Sequence, residues 1–151
     1  MSRQKRVLIL AAIFVADRLT KQWALTWLLP KGFVAVLPFF HLTYVENTGA
    51  AFGIGFSRNS FFTVLSAGLI AVLFYLQQAW KRKNTWIQVG LVLVMGGAIG
   101  NLYDRIVYGF VVDFLDFLVW PVFNVADSCV TVGAACLAWG MRQDDLSRPQ
   151  K

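Results

Sequence analysis

The sequence predicts an all-α integral membrane protein: four transmembrane helices, a small extracytoplasmic β element and an interfacial loop or helix. First, 58% of the 151 residues are hydrophobic, above the roughly 45–50% of a soluble domain. Second, apolar segments long enough to cross a bilayer recur along the chain. Third, the basic residues stand between these segments, as topology signals do. The net charge of +6 is therefore not taken as a sign of nucleic-acid binding.

The first apolar segment, residues 7–29, is predicted to be a retained transmembrane helix. As a helix it would span about 34 Å, which is enough for a bilayer. A basic start followed by an apolar run also describes a secretory signal peptide. That alternative is less favoured, because the apolar pattern continues through Leu29 and Phe14 would occupy a position where cleavage after Ala16 requires a small residue. Asp17 and Lys21 are four positions apart and would neutralise each other on one helix face.

Residues 30–57 have a different pattern, with Pro30, Pro38, several glycines and many β-branched and aromatic residues. This composition favours short strands and turns. We expect an extracytoplasmic β-like segment lying on the membrane surface. It contains the sequence ENTGAAFG at 46–53.

Three further helices are expected at about 61–80, 86–103 and 122–141, within a single domain covering 1–151. Gly96 and Gly100 have the GxxxG spacing that allows helices to approach closely. Between the last two helices lies an expected extracytoplasmic loop, 104–121. Nine of the fourteen Lys and Arg residues fall at the two chain ends and in the 81–83 turn. With four spans these segments share one side, which the positive-inside rule makes cytoplasmic.

The region from Met95 to Val130 combines apolar runs with aspartates, and ionisable groups within a membrane usually mark a functional site. Asp113 and Asp127 are the candidates. They are fourteen positions apart, so only folding of the loop over the helix ends would bring them together. Two carboxylates held close in partly desolvated surroundings share a proton. One can then activate a water molecule while the other polarises a carbonyl, as in aspartic proteases.

The residues alone leave alternatives open. Asp116 competes with Asp113, and Asp104 could simply pair with Arg105 or another cation. The chain could instead be a small proton- or ion-coupled membrane subunit that uses buried Asp17 and Asp127, or a purely structural membrane partner. His41 is the sole histidine, so neither a metal nor another cofactor is expected.

Four segments in order resemble the signature blocks of bacterial lipoprotein signal peptidase, also called signal peptidase II. They are DRLTK (17–21), ENTGAAFG (46–53), GGAIGNLYDRIVYGFVVDF (96–114) and FNVADS (123–128). The resemblance covers essentially the whole chain. It implies that Asp113 and Asp127 form the catalytic dyad. It also implies substrate-binding roles for Asn47, Asn101, Arg105 and Asn124, and supporting roles for Asp17, Lys21 and Asp104.

The resemblance further implies an intramembrane aspartyl endopeptidase of the bacterial inner membrane. Such an enzyme removes the signal peptide from a diacylglyceryl-modified prolipoprotein by cleaving N-terminal to the lipidated cysteine. The implied partners are that substrate and membrane lipids, with the chain acting as a monomer. Both termini would be cytoplasmic and the active site would face the periplasm.

Overall fold

Four helices and three strands make up the part of the chain that the computed structural model describes, residues 1–49, 58–80 and 84–146. The helices are α1 (Arg3–Trp23), α2 (Arg58–Ala79), α3 (Thr85–Val107) and α4 (Val125–Leu146). The strands are β1 (Phe33–Leu37), β2 (Phe40–Asn47) and β3 (Val111–Asp116). The predicted mostly helical architecture with a small β element is confirmed. The second half of ENTGAAFG and the basic 81–83 turn lie outside the described residues.

Helix α3 is the central element and packs against α1, α2 and α4. Its glycines make these approaches possible. A methyl group added at Gly96 would lie 2.9 Å from the Ile13 side chain of α1, and one added at Gly90 would lie 2.7 Å from the carbonyl oxygen of Gly133 in α4. Any larger side chain would therefore force the helices apart. The predicted role of the glycine spacing in close helix packing agrees with this geometry.

Two of the helices, Asn59–Ala79 and Thr85–Val107, are long and apolar enough to cross a membrane. They differ in their surroundings. Most of α3 is buried by other helices, whereas α2 exposes large apolar side chains such as Val64, Phe74 and Tyr75. An exposed apolar face of this kind suits contact with lipid, because lipid tails do not penalise it as water does.

The first helix differs from the predicted 7–29 at both ends. It begins at Arg3, because the Ser2 hydroxyl caps it by accepting a hydrogen bond from the Lys5 amide at 3.2 Å. Regular α-helix ends at Trp23 and is followed by a π-helical turn, Ala24–Leu28, and a 3₁₀ turn, Leu29–Lys31. Gly32, with φ of 73°, then turns the chain into β1, a conformation that favours glycine.

The three strands form one antiparallel sheet in the order β1-β2-β3. The third strand lies in the 104–121 segment, which was predicted as a loop or helix, so that description is corrected. In addition, α3 continues to Val107, which places Asp104 inside a helix. Val45 pairs with Asp113, and Asn47 pairs with Val111. This register brings the end of the β element beside the predicted catalytic region.

Helix α4 begins at Val125, three residues later than predicted, because the preceding chain pairs with the sheet. Phe123 exchanges backbone hydrogen bonds of 2.8 and 3.0 Å with Leu115 of β3. At the opposite end of the molecule, Asn84 caps α3 and donates to the Gly140 carbonyl of α4 at 2.7 Å. The start of α3 is therefore tied to the end of α4, and the start of α4 is fixed against β3.

Candidate active site

Asp113 and Asp127 meet at the point where β3 lies against the first turn of α4. Both hydrogen-bond to Asn124. The side-chain amide of Asn124 donates to Asp113 Oδ1 at 2.6 Å, while its backbone N–H donates to Asp127 Oδ2 at 3.3 Å. Asp113 is 1% exposed, and Asp127 is half-buried. The fold thus brings together the two carboxylates that the sequence separates.

Asn124 sits at this junction because it is the N-cap of α4. Its side-chain oxygen accepts the Asp127 backbone N–H at 2.9 Å, and the Asp127 carboxylate returns a bond to the Asn124 N–H. This reciprocal pattern is a capping box with aspartate in place of the more usual glutamate. The hydrogen bonds that start the helix therefore also orient Asp127.

Two more asparagines donate to the carboxylate oxygens that Asn124 leaves free. Asn47 of β2 donates to Asp113 Oδ2 at 2.9 Å, and Asn101 of α3 donates to Asp127 Oδ1 at 2.7 Å. The orientation of both side-chain amides is fixed, because exchanging their oxygen and nitrogen would place N–H donors against other donors. The Asn47 oxygen accepts the Gly49 N–H, and the Asn101 oxygen accepts from the Lys21 ammonium. The predicted substrate-binding residues Asn47, Asn101 and Asn124 thus have their side chains engaged with the two carboxylates.

Burial sets the protonation of Asp113, the more buried member of the pair. Desolvation, followed by the nearby charge of Asp127, raises the pKa of Asp113 from its ordinary 3.8 to about 7, against the opposing effect of hydrogen bonds from Asn47 and Asn124. Near neutral pH the Asp113 carboxyl group therefore exchanges a proton readily. A group poised in this way suits general acid–base chemistry.

Beside the pair lies a set of four charged side chains, here called the charged quartet: Asp17, Lys21 and Asp104, which are fully buried, and Arg18, which is partly exposed. Lys21 contacts Asp17 at 3.1 Å and Asp104 at 2.7 Å. The predicted pairing of Asp17 with Lys21 is confirmed, and the cations that pair with Asp104 are Lys21 and Arg18. Two positive and two negative charges balance, as buried charges require.

Arg18 is the member of the quartet that the sequence reasoning missed. It contacts Asp17 at 2.8 Å and Asp104 at 2.6 Å, and its side chain is 17% exposed. The available signal was its position inside an apolar helix, where a charged residue usually has a specific partner. Lys21 links the quartet to the carboxylate pair, because its ammonium also donates to Asn101 at 2.9 Å.

Arg105 and Asp116 lie outside the charged quartet. Arg105 donates to the Asn101 backbone carbonyl at 3.4 Å, and its guanidinium lies 5.6 Å from the centre of the Phe62 ring. Asp116 lies at the far end of β3, where it accepts hydrogen bonds of 2.7 Å from Thr43 and from the Leu118 N–H. The Thr43 bond lowers the pKa of Asp116. Asp116 is thus held apart from Asp127, and Asp113 is the paired residue.

Apolar helices around two aspartates that share a hydrogen-bond partner, one buried and one half-buried, favour a membrane-embedded aspartic peptidase as the class of protein. Comparison with known proteins agrees. Residues 9–142 match the family model described as signal peptidase (SPase) II. The chain therefore belongs to the signal peptidase II family, whose members are aspartic-type peptidases. This confirms the resemblance seen in the sequence and gives no support to an ion-coupled subunit.

Individual relatives match over nearly their whole length. A protein from Caldanaerobacter subterraneus subsp. tengcongensis named "Lipoprotein signal peptidase" is 44% identical over 137 residues, covering 89% of this chain and 94% of the relative. One of the same name from Pelotomaculum thermopropionicum is 41% identical over 146 residues, covering 95% of each.

A solved structure also shares the fold. It is described as a "Bacterial membrane enzyme structure" and has a TM-score of 0.82 at 28% identity, covering 99% of this chain and 94% of its own. A second structure with the same description has a TM-score of 0.83 at 30% identity.

Proposed function

We propose that Asp113 and Asp127 are the catalytic dyad of a peptidase that removes the signal peptide from diacylglyceryl-modified prolipoproteins, cleaving N-terminal to the lipidated cysteine. The observation that carries the proposal is the bridging of both carboxylates by one residue, Asn124. Membership of the signal peptidase II family supplies the substrate class.

The two aspartates take different parts in the chemistry. Asp113, whose pKa lies at about 7 because of burial and the charge of Asp127, holds the shared proton and donates it toward the scissile carbonyl. Asp127 accepts a proton from the attacking water. As the tetrahedral intermediate collapses, Asp127 gives this proton to the leaving amine, and Asp113 takes a proton back from a hydroxyl of the gem-diol, so the dyad again holds one proton. Asn47, Asn101 and Asn124 keep both carboxylates oriented throughout.

Arg105 is the best placed of the predicted substrate-binding residues. Its guanidinium carries five N–H donors, and the hydrogen bond to the Asn101 carbonyl uses one of them. Phe62 supports the guanidinium from α2. We therefore assign Arg105 to binding a substrate backbone carbonyl beside the dyad, while the three asparagines act on substrate through the aspartates.

The same proposal includes the membrane arrangement. All four helices cross the inner membrane, both termini are cytoplasmic, and the dyad lies at the periplasmic face. Supporting this, the sheet and the C-terminal end of α3 lie at one end of the helices. The start of α3 and the end of α4, which adjoin basic segments in the sequence, lie together at the other end. The enzyme acts as a monomer, because one chain supplies both aspartates.

The test is cleavage of a purified diacylglyceryl-modified prolipoprotein by the wild type and by Asp113→Asn and Asp127→Asn. Each variant removes one carboxylate while keeping its shape, so activity should fall by about 10³-fold or more. Asp116→Asn is the matched control, because Asp116 lies on the same strand as Asp113 but bonds Thr43. It should cleave at close to the wild-type rate. Thermal melting checks that all variants fold, and full cleavage by either dyad variant would refute the assignment.

A further inference from the structure

We propose that Arg18 is a positioning residue that fixes the spacing of Asp113 and Asp127 by bridging Asp17 and Asp104. The inference rests on the proposed function, since it concerns how the dyad is held. Arg18 touches neither dyad carboxylate among the contacts of the described residues. Its effect passes through the two acidic members of the charged quartet and from them into the backbone.

Each acidic member of the quartet binds the backbone N–H of the residue just before a dyad aspartate. Asp104 Oδ2 accepts the Val112 N–H at 3.2 Å, and Val112 precedes Asp113. Asp17 Oδ1 accepts the Ala126 N–H at 3.2 Å, and Ala126 precedes Asp127. Both acceptors are fully buried. The separation of Asp17 from Asp104 therefore sets the separation of the two backbone segments that present the dyad.

Arg18 holds the two acidic side chains together through the two ends of one rigid group. Its Nη2 lies 2.8 Å from Asp17 Oδ2, and its Nη1 lies 2.6 Å from Asp104 Oδ1. The guanidinium plane is fixed because its carbon lies 4.5 Å from the centre of the Tyr103 ring. A lysine carries the same charge at a single point and cannot reproduce this two-ended contact.

Lys21 cannot replace Arg18 in this role. Its ammonium has three donors, and they are directed to Asp17, Asp104 and the Asn101 side chain. Without Arg18 the quartet would carry one excess negative charge in a buried site. Mutual repulsion of Asp17 and Asp104 would then widen the distance between α1 and α3, and with it the distance between Val112 and Ala126.

Amide hydrogen exchange in the Arg18→Met variant tests the bridge without depending on activity. Protection of the Val112 and Ala126 amides, resolved by NMR, should fall at least about tenfold. The Ile87 amide, which bonds Asn84 at the opposite end of α3, is the internal reference and should keep its protection. Unchanged exchange at Val112 and Ala126 would overturn the proposal. If protection of these amides falls in Arg18→Met but the wild type cleaves no prolipoprotein, the proposed function is refuted and the bridging role of Arg18 is still supported.

Kinetics with the prolipoprotein test the consequence for catalysis. A displacement of about 1 Å can cost on the order of 10²-fold in rate, so Arg18→Met should lower kcat by about 10- to 100-fold with KM within about twofold. Arg18→Lys, which keeps the charge, should fall between this variant and the wild type. Arg142→Met, on the exposed far end of α4, is the control. If Arg18→Met does not fold, wild-type kcat in Arg18→Lys still overturns the proposal.

The width of the kcat/KM–pH profile distinguishes a change in the distance between the two carboxylates from a simple loss of the Arg18 charge. Lys21 on α1 and Arg105 on α3 are the cations that act on the dyad, and Asn47 of β2 is neutral. Asp17 and Asp104 bind the backbone N–H groups next to the dyad. Losing a positive charge moves both limbs of the kcat/KM profile in the same direction. Moving the carboxylates apart weakens their coupling and brings the limbs together. We expect narrowing in Arg18→Met, and an unchanged width would contradict the spacing role.

Discussion

Asn124 combines two functions that are usually carried by different residues. Its side-chain oxygen caps α4, and its side-chain N–H holds Asp113 at 2.6 Å. The helix start and the alignment of the dyad therefore share one side chain. Substitutions that keep one function and remove the other can distinguish the contribution of each.

Asn124→Ser is expected to preserve folding and to impair cleavage. Serine is a good N-cap, so the helix start should be kept, while loss of the buried amide donor to Asp113 should lower the free energy of unfolding by about 1–3 kcal/mol. Its short hydroxyl cannot cap the helix and also reach Asp113, so kcat should fall by about tenfold or more. Asn124→Ala, which loses the cap as well, should be less stable than Asn124→Ser. Thermal melts and prolipoprotein cleavage measured side by side check this, and wild-type kcat in Asn124→Ser would count against the orienting role.

Protonation of Asp113 predicts a decline of activity at high pH. Its pKa is raised to about 7 because burial disfavours the charged form, and the proposed reaction needs the proton on Asp113. Cleavage should therefore fall as pH rises above about 7, as measured by kcat/KM across a buffer series. An activity that stays constant well above that pH would contradict the assignment of the proton to Asp113.

The same shift affects stability. Folding raises the pKa of Asp113 from 3.8 to about 7, so the stabilising contribution of the protonated group is complete below 3.8 and is lost as pH rises through about 7. Asp113→Asn cannot titrate. Its Tm should therefore decline less than that of the wild type across this interval.

Sequence reasoning pointed to Asp113 and Asp127 because they are ionisable residues in or beside apolar segments, whereas the other predicted site residues came from the family resemblance. Asp127 and Asn124 could be placed on one helix face from their spacing alone. The engagement of Asn47, Asn101 and Asn124 with the dyad was not predictable, because it depends on amide orientations that Gly49 and Lys21 fix from other elements. Arg18 was missed for the same reason, since its partners lie on α1 and α3.

Among the elements, α3 carries the strongest steric constraints. A methyl group at Gly100 would lie 2.6 Å from the Asp17 carboxylate of α1. Gly100 therefore leaves room for a quartet member, in addition to allowing helix packing. The spacing of small residues predicted close helix packing. The position of the Asp17 carboxylate beside Gly100 depends on how α1 and α3 come together, which the local sequence does not specify.

Gly100→Ala is expected to lower both stability and activity. The added methyl must displace Asp17, which should cost about 1–3 kcal/mol and reduce kcat through the Ala126 contact. Gly68→Ala is the matched control, because Gly68 lies in α2 with nothing within 4 Å of an added methyl. There the better helix propensity of alanine should stabilise by up to about 1 kcal/mol. Equal melting temperatures for the two variants would contradict the steric argument.

Strand β3 was not predicted because its sequence, VVDFLD, lacks alternation: Val111, Val112, Asp113 and Phe114 are all buried. Pairing with β2 and packing of Val112 and Phe114 against Ala24 and Leu28 stabilise the strand. These contacts join segments that are far apart in the sequence. Local pattern alone therefore could not distinguish this strand from a loop.

At the scale of the whole molecule, the proposed membrane orientation can be tested at the ends of the helices. The proposed arrangement places the turn after β3 outside and the end of α4 inside. Trp120 and the Arg142 side chain are both exposed, so each position can report its side of the membrane.

Cysteine labelling checks this arrangement. In a background with Cys129 and Cys136 replaced by alanine, Trp120→Cys should react with a membrane-impermeant maleimide in intact spheroplasts. Arg142→Cys should react only after the membrane has been permeabilised. Labelling of both positions, or of position 142 alone, in intact spheroplasts would rule out the proposed topology.

The bond between Asp17 and the Ala126 N–H joins groups 109 positions apart in the chain, and Asp127 itself enters with the last helix. The chain must therefore be synthesised as far as α4 before the proposed dyad can assemble. Until α4 arrives, a nascent chain holds Asp113 without its partner and cannot cut neighbouring polypeptides during its own biogenesis. Assembly of the proposed dyad from β3 and α4 thus makes insertion of α4 the condition for activity.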